Sequence, residues 1–205
     1  MQRILIATSN QGKLRDFAGA SPPHGIEIAL LANYASLPEV KEDGDTFEAN
    51  ARKKAEHYSR HAAGEIVLAD DSGLEVDALG GAPGVHSARY AAEQPHLLSN
   101  NTDDQANNAR LLRELKKVPP ENRSGRFVCV IAAARDSTTL AVFRAQVEGI
   151  ILDSPRGSKG FGYDPLFYFP QIQKTFAELT PEEKASYSHR GQAFRKFISW
   201  SIDHK

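Results

Sequence analysis

The stretch Ile66-Val67-Leu68-Ala69-Asp70-Asp71-Ser72-Gly73-Leu74-Glu75-Val76 governs how the rest of the chain is interpreted. Four apolar residues run directly into two adjacent carboxylates, which predicts a buried strand that delivers Asp70 and Asp71 to the edge of a sheet, followed by a Ser-Gly turn. Paired acidic side chains there are costly unless a cation meets them, and they suit an oxygen-ligated ion such as Mg²⁺. The alternative is that Asp70 and Ser72 only cap the turn.

The length and composition of the chain narrow its class. Its 205 residues suffice for one sizeable core, so we expect a single domain over residues 1–205. A formal net charge of -1 gives no broad attraction to nucleic acid, so we expect no nucleic-acid partner. We also expect a cytoplasmic protein without membrane contact, because the sequence has no apolar run typical of a signal peptide or a membrane span. Cys129 lies in an apolar run and is interpreted as a buried thiol rather than a nucleophile.

A polar loop follows the first apolar run. The segment Arg3-Ile4-Leu5-Ile6-Ala7 predicts a strand, and the loop Thr8-Ser9-Asn10-Gln11-Gly12-Lys13 leads into a helical pattern that starts with Leu14. Such a loop can present backbone N–H groups to an anion, with Lys13 adding positive charge. It lacks the glycine and hydroxyl positions of a P-loop, and many ordinary turns have a similar composition.

A second helix is predicted after the acidic run that contains Glu42. Thr46 is a candidate N-cap, and Phe47, Ala51, Ala55, Tyr58 and Ala62 fall on one helix face. Asn50 and Lys54 fall near this apolar stripe, where polar groups need partners. The acidic run itself is also compatible with a solvated turn.

The remaining pattern predicts a mixed sheet. Residues 26–31 are a possible strand, Thr102 with Gln105 predicts the start of an amphipathic helix, and residues 126–134 and 138–147 predict a hairpin. A βα unit at the start and a hairpin in the middle indicate an α/β or mixed α+β fold.

Two further segments carry chemically varied side chains. The glycine-rich segment Gly160-Phe161-Gly162-Tyr163-Asp164 could stack a base, although both rings could instead pack in the core. A short helix beginning at Thr180-Pro181 carries Lys184, and the pair His189-Arg190 precedes the last helix. Together with the Asp pair and the polar loop, these groups supply the inventory of a nucleotide hydrolase. A nucleotide sensor or an unrelated soluble enzyme is compatible with the same residues.

The joint pattern resembles one family closely. The segments that carry the resemblance keep their order and extend over nearly the whole chain: Thr8-Ser9-Asn10 with Lys13, Ala69-Asp70-Asp71-Ser72-Gly73-Leu74, Gly81-Ala82-Pro83-Gly84, Ser87-Ala88-Arg89-Tyr90, Gly160-Phe161-Gly162-Tyr163-Asp164-Pro165 and Ser188-His189-Arg190. They are similar to the signature of the inosine triphosphate pyrophosphatase family, also called the Ham1 or RdgB type.

This resemblance implies a house-cleaning enzyme that hydrolyses ITP, dITP and XTP to the nucleoside monophosphate and pyrophosphate. It implies dependence on Mg²⁺, a homodimer, and an elongated mixed sheet with two lobes around an active-site cleft. By the same resemblance, Asp71 is the general base and a metal ligand, and Glu42 is the second metal ligand. The implied substrate-binding residues are Thr8, Ser9, Asn10, Gln11, Gly12, Lys13, Ser72, Phe161, Gly162, Tyr163, Asp164, Lys184, His189 and Arg190.

The implied chemistry bears on the choice of base and on one rival class of enzyme. His189 and Arg190 can donate hydrogen bonds to a 6-oxo group of the purine base, which adenine lacks. A haloacid-dehalogenase-type phosphatase is disfavoured, because Asp71-Ser72-Gly73 lacks the second aspartate of the Asp-x-Asp motif. The remaining alternative is a purine nucleotide sensor that binds without hydrolysis.

Overall fold

A computed structural model describes residues 2–19, 26–93 and 104–204. In it, seven strands form one mixed sheet in the order β2-β1-β3-β4-β5-β6-β7. The strands are β1 (Gln2–Ile6), β2 (Ile26–Leu30), β3 (Ile66–Val76), β4 (Ser124–Arg135), β5 (Thr138–Ile151), β6 (Phe167–Phe169) and β7 (Lys174–Thr175). β1 pairs in parallel with β2 and β3, whereas β6 pairs antiparallel with β5 and β7. This arrangement confirms the predicted mixed α/β class.

Five α-helices accompany the strands in the described ranges. They are α1 (Gln11–Ala18), α2 (Phe47–Ser59), α3 (Asp104–Glu114), α4 (Pro181–Tyr187) and α5 (His189–Asp203). Short 3₁₀ segments cover Tyr34–Ser36, Asp77–Leu79, Gly84–Glu93, Leu115–Lys117, Pro120–Asn122 and Phe176–Glu178. The predicted cap of α2 is confirmed, because the Thr46 side chain accepts a hydrogen bond from the Ala49 N–H group. The predicted cap at Thr102 lies outside the described residues.

β3 corrects the prediction for the stretch that opened the sequence analysis. The strand continues without a turn through Ser72 and Gly73 to Val76, so the Asp pair lies inside the strand instead of at its end, just beyond Leu68, which pairs with Ile6 of β1. The interpretation of Ser72 as a turn cap is therefore also wrong. Gly73 has a packing role, since a Cβ atom there would lie 2.3 Å from Ser87 Oγ and 2.5 Å from Gly84 O. The absent side chain lets the 84–87 segment pack directly on the strand.

The chain divides into two compact units. The first comprises Met1–Asp71, Cys129–Ala145 and Ala185–Lys205, and the second comprises Ser72–Val128 and Gln146–Lys184, as far as these ranges are described. Each unit has an apolar core of its own. The first core includes Ile4, Leu68, Ile131, Phe194 and Phe197, and the second includes Leu74, Leu111, Phe127, Phe167 and Phe176. A single domain over residues 1–205 stays a prediction.

Helices α1 and α5 pack together within the first unit. The rings of Phe17 and Phe194 meet edge to face, with centroids 5.3 Å apart. Phe197 is fully buried in the same cluster. This packing fixes the first turn of α5 and the residues His189 and Arg190 that it carries.

Candidate active site

Asp70 lies at the centre of a buried charge cluster in the first unit. Its Oδ2 atom is 3.1 Å from Lys13 Nζ and 3.3 Å from both Nε and Nη2 of Arg190. The Sγ atom of Cys129 lies 4.0 Å from the same oxygen. Cys129 is fully buried, and burial raises its pKa to about 12, which confirms that it is an inert core thiol.

Arg190 connects this cluster to α1. Its Nη1 atom donates to Asp16 Oδ2 at 2.6 Å, while its other contacts go to Asp70. Arg190 is 1% exposed and Asp16 is 6% exposed, so the guanidinium group is compensated by two carboxylates away from water. The prediction that Arg190 contacts the base is not tested by this geometry. The contacts do give Arg190 a second role, which is to fix the position of Asp70.

Asp71 has different surroundings, although it is the next residue in the strand. Its Oδ2 atom accepts a hydrogen bond from Asn50 Nδ2 at 3.0 Å. Its Oδ1 atom is 3.9 Å from Lys54 Nζ, which is itself 3.1 Å from Glu42 Oε2. Asp71 and Glu42, the two carboxylates predicted to hold a metal, are therefore brought to one ammonium group.

The two aspartates differ in how readily they bind a proton. Burial alone would raise the pKa of Asp70, but Lys13, Arg190 and Lys54 outweigh burial and hold the pKa well below its usual range. For Asp71, burial is the larger effect and raises the pKa, since attraction to Lys54 and Lys13 offsets it only in part. Asp70 thus behaves as a permanent counter-ion. Asp71 is the carboxylate suited to take up a proton.

Helix α2 positions the groups around Asp71. Asn50 is buried, and its Oδ1 atom accepts a hydrogen bond of 2.8 Å from the Gly44 N–H group. The amide therefore spans the distance from the turn before α2 to Asp71 and has little freedom to rotate. Burial lowers the pKa of Lys54, but Asp71, Glu42 and Asp70 outweigh burial and raise it overall, so Lys54 carries its charge at neutral pH.

The side chains around Asp71 are suited to a divalent cation only when the substrate takes part. Within the described ranges no group of three or more His, Cys, Asp or Glu side chains could hold a metal ion. Glu42 and Asp71 attract the Lys54 ammonium group, so a cation is stabilised at this place. Mg²⁺ commonly uses one or two carboxylates together with water and substrate phosphates. The donor set here fits that mode of binding.

The polar loop 8–13 is shorter than predicted, because α1 already begins at Gln11. Asn10 is the N-cap, and its side chain accepts a hydrogen bond of 3.1 Å from the Lys13 N–H group. Thr8 Oγ1 accepts from the Asn10 N–H group at 3.2 Å. The predicted anion-binding residues therefore form the first turn of a helix and the capped segment before it.

The predicted base-binding loop lies in the second unit and is arranged around Asp164. The Oδ2 atom of Asp164 accepts from the Phe161 N–H group at 2.9 Å and from Lys184 Nζ at 2.6 Å. Lys184 Nζ also lies 4.4 Å from the centroid of the Phe161 ring. Gly160 has a φ of +78°, and a Cβ atom there would lie 2.1 Å from Asp164 Oδ2, so only glycine fits.

Tyr163 follows the alternative expectation for this loop, in which its ring packs in the core. Its ring is 4% exposed and belongs to the core of the second unit. Its hydroxyl group donates to the Ser87 carbonyl at 2.8 Å, and burial raises its pKa. The side chain of Tyr163 therefore anchors the loop from inside, and a contact between Tyr163 and the substrate stays a prediction.

The structure brings several of the predicted residues together within the first unit. Lys13, Glu42, Asp71 and Arg190 share one charge network through Lys54 and Asp70. Ser72 is a half-buried residue of β3, and His189 is the buried first residue of α5.

Three residues of the first unit contact predicted site residues, although the sequence analysis did not assign them to the site. They are Asp16, Asn50 and Lys54, each buried and each bonded to a predicted site residue. For Asn50 and Lys54 a signal existed, because both fall beside the apolar stripe of α2. Asp16 carried no such signal, since an acidic residue in a short helix is ordinary at a surface.

Comparisons with known proteins cover almost the full length of the chain. The sequence model of the Ham1 family matches residues 4–200. A dITP/XTP pyrophosphatase of Geobacillus kaustophilus is 50% identical over 196 residues, which are 96% of this chain and 92% of the relative. One of Bacillus subtilis is 44% identical over 96% of this chain and 95% of its own.

Solved structures give the same similarity. The Ham1 protein of Staphylococcus aureus has a TM-score of 0.82 and 40% identity, and each chain is covered completely. A HAM1 protein of Coxiella burnetii has a TM-score of 0.83 and 38% identity, over 99% of this chain and 100% of the other.

Within the part of the chain that the structure describes, no helix combines the length and apolarity needed to cross a membrane.

Proposed function

Because the chain belongs to the Ham1 family, we propose that it hydrolyses deaminated purine nucleoside triphosphates to the monophosphate and pyrophosphate. The substrates are ITP, dITP and XTP. The activity implied by the resemblance agrees with the relatives, which are dITP/XTP pyrophosphatases. The family predicted from the sequence is confirmed.

The observation that carries the mechanism is the contrast between Asp70 and Asp71. A general base has to be held near the reacting water and has to gain a proton at moderate cost. Asp71 meets the second condition, since burial raises its pKa, whereas three cations keep Asp70 ionised. Asp71 is therefore the residue that accepts the proton from the attacking water.

The neighbours of Asp71 orient it and supply positive charge. Asn50 holds Oδ2 by a hydrogen bond of 3.0 Å, which leaves Oδ1 toward Lys54. Lys54 and Lys13 are cations that stabilise the negative charge that develops on phosphate oxygens as pyrophosphate leaves. Asp70 keeps Lys13 and Arg190 in place through their ion pairs. The N–H groups of Gln11 and Gly12 at the start of α1 favour an anionic group.

Glu42 and Asp71 are the residues that would hold Mg²⁺. When bound with the substrate, the ion would neutralise charge on the triphosphate. Lys54, which pairs with both carboxylates, would then exchange part of its contact with them for contact with phosphate oxygens.

Recognition of the base is assigned to Phe161, Lys184, His189 and Arg190. The half-buried Phe161 ring offers a stacking surface, and Lys184 lies over one face of it. Donors aimed at a 6-oxo group would be left unpaired against the amino group of adenine, at a cost of about 1 to 3 kcal/mol for each group. The predicted homodimer and cytoplasmic location belong to the same proposal.

A panel of nucleoside triphosphates tests this function. The purified chain is incubated with ITP, dITP, XTP, GTP and ATP, with Mg²⁺ and with EDTA in its place, and pyrophosphate is measured directly. We expect pyrophosphate from the first three with Mg²⁺, at least about tenfold less from ATP, and none with EDTA. Release of orthophosphate would indicate a stepwise phosphatase. Tight binding of ITP without turnover would favour the nucleotide sensor.

A further inference from the structure

Helix α3 holds the loop that carries Phe161 through both backbone groups of Gly162. The Gly162 N–H group donates to Asp104 Oδ2 at 2.6 Å, and Asn108 Nδ2 donates to the Gly162 carbonyl at 3.0 Å. Asp104 and Asn108 are four residues apart and therefore lie on one face of the helix. All of these groups belong to the second unit. The pair acts as a clamp on the residue that follows Phe161.

The loop needs this clamp because its own backbone is permissive. Gly160 and Gly162 flank Phe161 with φ angles of +78° and +60°, a region that glycine enters at little cost. Asp164 holds the Phe161 N–H group from the inner side of the loop. The clamp fixes the other flank, so the direction of the Phe161 ring is set from both sides.

The orientation of the Asn108 amide is determined by its partner. Only the nitrogen can face the Gly162 carbonyl, since two oxygens would repel. The Oδ1 atom of Asn108 is buried and has no hydrogen-bond partner among the described residues. An unsatisfied buried acceptor is unfavourable, so the contact with Gly162 has to offset that cost.

We propose that Asp104 and Asn108 are positioning residues that set the orientation of the Phe161 ring and thereby the affinity for the purine base. The inference rests on the proposed function, in which Phe161 contacts the base. It assigns to α3 a part in substrate selection, in addition to its apolar contribution to the core through Leu111.

Two substitutions that exchange an amide and a carboxylate of the same shape test the clamp. In Asn108→Asp the donor becomes an oxygen that faces the Gly162 carbonyl, so the contact is lost. In Asp104→Asn an oxygen acceptor remains for the Gly162 N–H group. We expect Asn108→Asp to raise KM for ITP about tenfold with kcat changed less than about twofold, and Asp104→Asn to stay near wild type. Inhibition by inorganic triphosphate, which has no base, stays unchanged in both variants.

Asp104→Ala serves as a second variant if Asn108→Asp does not fold. Asp104 is exposed, so its truncation removes the acceptor with little effect on packing. It should raise KM for ITP as Asn108→Asp does. An unchanged KM in folded Asp104→Ala and Asn108→Asp would overturn the inference.

Asn107→Ala is the matched control. Asn107 is the neighbouring amide of α3, but it bonds to the Ala91 N–H group and the Ala88 carbonyl instead of the Phe161 loop. We expect Asn107→Ala to lower Tm and to leave KM for ITP unchanged. A rise in KM equal to that of Asn108→Asp would show a general effect of damaging α3 and would contradict the proposed clamp.

Titration calorimetry with ITP separates the two hypotheses. A wild-type chain that binds ITP without hydrolysing it contradicts the proposed pyrophosphatase. In that case a higher Kd for ITP in Asn108→Asp than in the wild-type chain still supports the clamp, and an unchanged Kd overturns it.

Discussion

At the scale of single residues, two adjacent aspartates have opposite properties because successive side chains of a strand point to opposite faces of the sheet. Asp70 points to Arg190 and Cys129, and Asp71 points to Asn50 and Lys54. The sequence made both acids candidates for a site. Their separate roles depend on partners from other segments, which no local pattern contains.

The Asp70→Asn substitution should destabilise the fold strongly. It leaves Arg190 and Lys13 without their shared carboxylate, and breaking a buried ion pair costs roughly 3 to 5 kcal/mol. Urea unfolding at pH 7 measures the loss, with Asp71→Asn as the control. Burial penalises the charged form of Asp71, so its substitution should cost less than about 1 kcal/mol.

We expect the stability difference between the wild-type chain and Asp70→Asn to depend on pH. The folded pKa of Asp70 lies below its unfolded value of about 3.9, so its stabilisation is complete above that value and is lost as the pH falls through the folded pKa. The stability difference between wild type and Asp70→Asn should therefore shrink in acid. A difference below about 1 kcal/mol at pH 7 would contradict the assignment of Asp70 as counter-ion.

At the scale of elements, the strongest local signals were correct. The predicted cap at Thr46 is present. The short helix predicted from Thr180-Pro181 is also present, and Thr180 caps it, since its hydroxyl group accepts from the Glu183 N–H group at 3.2 Å. The turn predicted at Ser72-Gly73 was wrong. A Ser-Gly pair is typical of turns, and the reason for glycine here is the approach of Ser87, which a local pattern does not reveal.

The first turn of α5 gives a prediction at this scale. A Cβ atom on Gly191 would lie 1.8 Å from the Ala185 carbonyl oxygen, so α4 and α5 can meet this closely only with glycine. Gly191→Ala should destabilise by at least about 2 kcal/mol and lower Tm by about 4 to 8 °C. The exposed Ser199→Ala of the same helix is the control. A Tm within about 1 °C of wild type for Gly191→Ala would refute this interpretation of the junction.

At the scale of the whole molecule, the sequence predicted which chemical groups are present better than it predicted their pairing. The mixed sheet followed from the periodicity of the strands, and the family followed from the ordered motifs. Arg190 and Asp16, however, are 174 residues apart and meet only in the folded unit. The same holds for Asp104 and Gly162, which are 58 residues apart. Pairings of this kind depend on the tertiary fold.

The most direct test of the central claim compares pyrophosphate release from ITP by the wild-type chain and by Asp71→Asn, at saturating Mg²⁺ and pH 7. The amide that replaces the carboxylate in this variant cannot act as a base, so we expect kcat to fall at least about 100-fold while circular dichroism and Tm stay those of a folded protein. The wild-type reaction should yield one pyrophosphate for each ITP consumed. Near-normal release of pyrophosphate by Asp71→Asn would contradict the account.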